Sequence, residues 1–273
     1  MEHETQSIEK KKFLGQNFLN NKNILGAMAR AAELTKHDVV LEVGPGLGSL
    51  TEILAMRAKK VIAVEKDPEL VTWNMKHGAL RKTKNVSFIH GDILKPETWL
   101  PQFNASRLML HTSCFKIVAN IPYYITSHFL RLFLSETKFR PKLMVLMVQK
   151  EVAERILAKN GKESMLSLSV KAYGKPEFIR KVPRGVFSPP PKVDSAIIKI
   201  TTFGSPLKVR GARGVMKIDP EKVLSISRLA FQKKRKMLRQ SIGKKIQLPK
   251  KFQTKRPEEL SPEDWELIVG RAV

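Results

Sequence analysis

Between Val39 and Gln149 the chain alternates short β-branched apolar runs with amphipathic stretches, and this alternation limits its possible folds more than any other feature. Val39-Val43, Val61-Val64, Val86-Ile89, Phe115-Ala119 and Leu143-Val148 are apolar enough for strands buried on both faces. Leu50-Ala58, Pro68-His77 and Ile125-Leu134 instead repeat at helical spacing. Strands that alternate with helices are joined by crossovers, which make the strands parallel and put helices on both faces of the sheet. The predicted fold class is α/β, a doubly wound, Rossmann-like domain.

After Glu151 a helix is predicted to about Lys159. Two further strand-like runs, Glu177-Val182 and Ala196-Thr201, flank a Pro-rich loop from Phe187 to Lys192. Beyond Gly204 the composition changes. From Thr201 to Arg256 there are 17 Lys or Arg against only Asp219 and Glu221, and Val223-Phe231 and Pro262-Val269 have helical spacing. These features predict a larger α/β domain over residues 1–204 and a small basic helical domain over 205–273.

Fifty Lys and Arg against 25 Asp and Glu give a formal charge of +25, far more than solubility requires. Such an excess points to a polyanionic partner, nucleic acid first, over a merely solvated basic surface. No amphipathic anchor or lipidation signal accompanies the charge, which argues against an acidic membrane face. The single Cys114 rules out an internal disulfide framework and reads as a small buried hydrophobe in a reducing compartment. Met1 to Lys12 lacks the apolar segment of a signal peptide, and the longest apolar run, Leu143 to Val148, is too short to span a bilayer. A cytoplasmic protein, monomeric by default, is expected.

Leu41-Glu42-Val43-Gly44-Pro45-Gly46-Leu47-Gly48 follows a predicted strand and opens a helix, so its glycines permit a tight turn and close approach of a ligand. The G-x-G-x-G spacing is not that of a dinucleotide site. Glu65, ending the second strand, is placed to accept hydrogen bonds from both ribose hydroxyls of an adenosine-containing ligand. Asp92, after the third strand, can accept from its adenine amino group, with Ile93 beside the ring. Asp67, directly before Pro68, reads better as a helix cap.

The fourth strand ends in Asn120-Ile121-Pro122-Tyr123. The Asn120 side-chain oxygen and the Ile121 carbonyl are two acceptors that suit both hydrogens of an exocyclic amino group such as adenine N6. Its lone pair is delocalised into the ring, and two such bonds draw the nitrogen toward sp³ character. Pro122 fixes φ and brings no competing N–H, while Tyr123 can stack on an extruded base. Taken alone, the four residues also read as a strand-ending turn with a buried Tyr.

A G-x-G-x-G turn, a ribose carboxylate, an adenine-side Asp and an N-x-P-Y turn follow the order found in S-adenosylmethionine-dependent amino-methyltransferases. The chain resembles, from Phe13 to about Ile242, the rRNA adenine N6,N6-dimethyltransferases that act on the small ribosomal subunit. The segments that carry the resemblance are Phe13 to Leu19, Glu42 to Gly48, Asn120 to Tyr124, Gln149 to Arg155, Val182-Pro183 through Phe187 to Ala196, and Phe231 to Leu238. The resemblance implies that Gln16, Asn17 and Leu19 close over the cofactor and that Gly44, Gly46, Glu65, Asp92 and Ile93 hold it. Asn120 would contact both cofactor and base, and Phe187 would stack on the flipped adenine opposite Tyr123. Without the family, Gln16-Asn17 also reads as a helix cap and Phe187 as an ordinary core aromatic.

The implied reaction is in-line displacement at the sulfonium methyl, with two adjacent adenosines near the 3' end of small-subunit rRNA each dimethylated within a pre-assembled subunit. The six His residues show no metal-ligand spacing, so no metal is assigned. Lys233-Lys234-Arg235-Lys236 and Arg239 would neutralise phosphates of folded RNA. The family usually has two Arg before the Lys of Lys234-Arg235-Lys236, Thr at the place of Met237 and often Pro at that of His128. Lys cannot reproduce bidentate Arg contacts. The alternatives are a large-subunit rRNA methyltransferase, a non-catalytic RNA-binding assembly or transcription factor on this fold, and, disfavoured by the charge, a small-molecule methyltransferase.

Overall fold

The computed structural model describes residues 18–76, 83–105, 115–137, 140–159, 161–203 and 218–270. In chain order these form β1 (Phe18–Leu19), α1 (Lys22–Ala31), β2 (Val39–Val43), α2 (Ser49–Ala55), β3 (Lys60–Glu65), α3 (Pro68–Lys76), β4 (Val86–His90), α4 (Pro96–Ala105) and β5 (Phe115–Asn120). There follow α5 (Thr126–Arg131), β6 (Leu143–Gln149), α6 (Lys150–Ile156), α7 (Met165–Lys171), β7 (Gly174–Val182), β8 (Phe187–Ser188), β9 (Ser195–Thr202), α8 (Pro220–Phe231), α9 (Leu238–Ser241) and α10 (Pro262–Gly270). Cys114 lies outside the described residues.

The main sheet has seven strands in the order β4-β3-β2-β5-β6-β9-β7. β2 is parallel to β3 on one side and to β5 on the other, so the strand order reverses at β2. Crossovers leaving from adjacent strands in opposite directions open a crevice at their carboxyl ends, where open α/β sheets bind ligands. All five residues of β2 are buried, as expected for a strand covered on both faces.

The sheet is not wholly parallel. β9 runs antiparallel to β6 and to β7. The alternation of strand and helix ends at α7, and β7 returns to β9 through a loop without a crossover helix, which forces antiparallel pairing. Helix α4, which the sequence periodicity did not predict, carries Pro101 in its interior. Trp99 and Phe103 explain its survival. Both are buried, 5.5 Å apart edge to face, and Phe103 meets Phe115 of β5 at 5.8 Å. That apolar burial offsets the hydrogen bond lost at proline.

The basic C-terminal segment packs on the α/β part. One continuous apolar cluster includes Ile117 of β5 and Leu168 of α7 together with Leu224 and Trp265 of α8 and α10. The Tyr173 hydroxyl donates to Glu221, and the Glu163 N–H donates to the Glu258 carbonyl at 2.9 Å. Asp219 caps α8 by accepting the Glu221 N–H at 3.0 Å, with Pro220 at the first helical position. The sequence boundary at 204 falls where residues 204–217 lie outside the description.

Candidate functional site

The carboxyl ends of β2, β3, β4 and β5 surround a cavity of about 260 Å³. The turn after β2 forms its floor. Gly44, Gly46 and Gly48 adopt φ of 65°, 58° and 83°, a region that penalises any side chain, and Gly48 occupies the N-cap of α2 in that conformation. A Cβ at Gly46 would approach the Phe18 ring to 3.2 Å, so this glycine lets the chain pass close beneath β1. The Gly44 N–H donates to the Val64 carbonyl at 3.0 Å and ties the turn to β3.

Glu65 is buried and braces the turn. Its Oε2 accepts the Gly46 N–H at 3.2 Å, while Oε1 accepts the Lys66 and Asp67 N–H groups at 2.8 and 3.0 Å. Burial pushes its carboxyl above the ordinary value, against the pull of these N–H groups. A carboxylate has about four acceptor positions, so capacity is left for a ligand hydroxyl. Asp67 acts as the sequence suggested, its Oδ1 accepting the Glu69 N–H at 2.9 Å to start α3.

Asp92 and Ile93 follow β4 and line the cavity. Asp92 Oδ1 accepts the Leu94 N–H at 3.0 Å, and Oδ2 pairs with Lys66 at 2.9 Å. Although burial acts in the opposite sense, the Lys66 contact and the Leu94 N–H hold this carboxyl below the usual range. Glu42 of β2 also lines the cavity. It is 1 % exposed, its Oε2 has no hydrogen-bond partner, and burial, opposed in part by the nearby Thr51 hydroxyl and reinforced by the Glu65 charge, pushes its carboxyl up to about 8.

Asn120, Ile121, Pro122 and Tyr123 form the wall contributed by β5. Pro122, with φ −56°, leads into a single 3₁₀ turn from Tyr123 to Ile125. The Tyr123 hydroxyl lies 2.7 Å from Ser195 Oγ, and burial raises its pKa, so the ring is a neutral aromatic. Leu19 completes the wall on the side of β1.

Gln16 and Asn17 lie outside the described residues, and the cap of α1 is Asn21, whose Oδ1 accepts the Asn23 and Ile24 N–H groups at 3.1 and 3.2 Å. Phe187 does not line the cavity. It is 5 % exposed, paired with Leu19 across the β1–β8 ladder and packed in the core, whereas its neighbour Ser188 reaches the cavity. Phe18, Lys66 and Ser188 are lining residues that sequence reasoning missed. Phe18 and Ser188 meet only through the pairing of β1 with β8, a register that no local pattern announces. Lys233, Lys234, Arg235, Lys236 and Arg239 are exposed on and beside the turn between α8 and α9, apart from the cavity lining.

The sequence profile of the ribosomal RNA adenine dimethylases matches residues 7–260. The chain belongs to that family. It is similar to the ribosomal RNA small subunit methyltransferase A of Dehalococcoides mccartyi strain CBDB1, at 40 % identity over 97 % of this chain and 89 % of that protein. It is also similar to a probable ribosomal RNA small subunit methyltransferase A of Methanosarcina acetivorans, at 37 % identity over 93 % of this chain and 91 % of that protein. Among solved structures, a dimethyladenosine transferase from Plasmodium falciparum superposes with a TM-score of 0.74 at 27 % identity, covering 92 % of this chain and 95 % of that one. The 23S rRNA methyltransferase ErmE gives 0.72 at 26 %, covering 94 % and 99 %. The chain is thus an S-adenosylmethionine-dependent rRNA adenine dimethyltransferase. The family assignment agrees with the doubly wound fold and with the cavity at its strand-order reversal.

Proposed function

We propose that this enzyme dimethylates N6 of two adjacent adenosines near the 3' end of small-subunit rRNA, in a pre-assembled subunit during ribosome biogenesis. The observation that carries the reading is the meeting of two elements at one crevice, the glycine turn after β2 and the Asn120–Tyr123 turn after β5. One suits a nucleoside ligand and the other an exocyclic amine. The fold itself is common to small- and large-subunit enzymes, so the subunit choice rests on the full-length similarity to proteins named for the small subunit.

The cavity fits a cationic nucleoside. In a chain with 50 basic and 25 acidic residues, the charged side chains among its described lining residues are Glu65 and Asp92 against Lys66, and Glu42, its carboxyl pushed up to about 8, adds a polar group that is largely neutral at pH 7. Glu65 would take the ribose, Asp92 and Ile93 the adenine, and Gly44, Gly46 and Leu19 the remaining contacts, with Gln16 and Asn17 assigned by resemblance. S-adenosylmethionine, when bound, supplies an activated methyl group. The residues of the chain contribute positioning and electrostatics. Asn120 Oδ1 and the Ile121 carbonyl would accept the N6 hydrogens and direct the nitrogen lone pair toward the cofactor, with Tyr123 holding the ring. Lys233, Lys234, Arg235, Lys236 and Arg239 would orient the RNA through phosphates, in a basic segment joined to the α/β part after residue 204. A cytoplasmic, monomeric enzyme fits this role.

The test is transfer of labelled methyl from S-adenosylmethionine to unmethylated small subunits, large subunits and naked rRNA, followed by nucleoside digestion. N6,N6-dimethyladenosine from small subunits, lost in Asn120→Ala, is expected. Labelling confined to large subunits would assign the other substrate, and tight subunit binding without transfer would assign an assembly role.

A further inference from the structure

We propose that Ser195 is a positioning residue for methyl transfer, its hydroxyl fixing the Tyr123 ring on which the target base stacks. The inference rests on the base-binding role proposed above for Tyr123, and it adds a residue that neither the motif nor the cavity lining includes.

The geometry is specific. Ser195 is fully buried at the first position of β9 and is held from both sides, opposite Gln149 of β6 and Val182 of β7. A side chain on an interior strand of a packed sheet has little freedom, so its Oγ is a fixed point. Tyr123 Oη lies 2.7 Å from it. The backbone of Tyr123 is fixed separately, its carbonyl accepting the Thr126 hydroxyl at 3.1 Å, with Thr126 itself buried. The half-buried ring is therefore pinned at its root by the turn and at its tip by the sheet, and Tyr123 lines the cavity.

The bond satisfies two hydroxyls where β9 begins, and it does so on a ring that lines the cavity proposed for the base. Stacking requires a ring that stays put. Displacements of about 1 Å at a reacting centre cost up to two orders of magnitude in rate, so a fixed tip favours the near-attack geometry over mere occupancy of the site.

The decisive experiment is a double-mutant cycle on methyl transfer to unmethylated small subunits, using Tyr123→Phe, Ser195→Ala and both together. Each single variant removes the same bond and retains an aromatic ring at position 123. Each should lower kcat about fivefold, as expected for one neutral hydrogen bond, with the KM for subunits and the Kd for S-adenosylmethionine within twofold of wild type. The double variant should be no slower than the slower single one. Losses that multiply, a Tyr123→Phe rate equal to wild type, or an effect confined to the cofactor Kd would each overturn the proposal. If Ser195→Ala fails to fold, Ser195→Thr, which keeps the hydroxyl, serves beside Tyr123→Phe: transfer retained in the first and lowered in the second is expected, and the reverse would overturn the proposal. A wild type that forms no N6-methylated adenosine in small subunits would instead refute the function proposed above.

Discussion

Lys66 Nζ stands 2.9 Å from Asp92 Oδ2, an ion pair at the exposed rim of the cavity that joins the end of β3 to the end of β4. The contact raises the Lys66 pKa and helps to lower that of Asp92, so both partners stay charged through neutral pH. The carboxylate that would receive the cofactor's adenine is thereby kept ionised by a side chain the ligand need not displace, because each carboxylate oxygen has a second acceptor position.

This relationship predicts unequal effects for its two partners. Asp92→Asn should weaken S-adenosylmethionine binding about tenfold, since it removes a charged acceptor from the expected adenine contact. Lys66→Met should change it by less than about threefold, because a pair with Lys66 59 % exposed is strongly screened. Isothermal titration of the two variants distinguishes them. Equal losses would make the ion pair, not the carboxylate, the binding element.

Glu42 predicts an unusual pH dependence of stability. Its carboxyl is pushed up to about 8 from an ordinary value of 4.5, so between these values the folded state keeps a proton that the unfolded state has lost. Stability from this group is complete below about pH 4.5 and is lost as pH rises toward 8, by an amount on the order of a few kcal/mol. Denaturant midpoints of the cofactor-free protein measured from pH 5 to pH 8 should fall more steeply for wild type than for Glu42→Gln. Parallel curves would show that Glu42 does not titrate in this window.

The strands and the site turns were legible because they rest on local rules. Val39–Val43 is apolar throughout because both faces are covered, and Gly44, Gly46 and Gly48 stand where the backbone takes positive φ. What was not legible depends on long-range pairing. The antiparallel placement of β9 beside β6, the β1–β8 ladder and the burial of Phe187 are set by partners far away in sequence. Helix α4 was hidden for a different reason, since Pro101 contradicts local propensity and only the packing of Trp99 and Phe103 overrides it. Glu42 was visible within its motif, but an unpartnered buried oxygen can be recognised only in three dimensions.

Phe187 provides a test of the family expectation against the packing. At 5 % exposure, in the cluster with Leu19, Val40 and Val118, truncation to Ala should cost roughly 3–5 kcal/mol of folding stability, as for other large core aromatics. Phe187→Leu keeps most of the volume and should fold well, with methyl transfer near wild type. A stable Phe187→Leu protein with transfer lost would return the ring to the base-stacking role that the resemblance implied, by way of a side-chain movement on RNA binding.

The turn between α8 and α9 carries Lys233, Lys234, Arg235 and Lys236 as consecutive exposed cations. Contacts of this kind act through displaced counterions, so their signature is a salt slope and not a sequence preference. Changing Lys233, Lys234 and Lys236 to Ala should flatten the plot of log affinity for small subunits against log salt by roughly 2 units. Binding of S-adenosylmethionine should be unchanged, because these residues are absent from the cavity lining. Transfer by the triple variant should recover at low ionic strength and high enzyme concentration, as expected if the cations govern encounter and orientation and leave the chemical step intact. An unchanged slope would place the RNA contacts on other basic faces of a chain whose charge is +25.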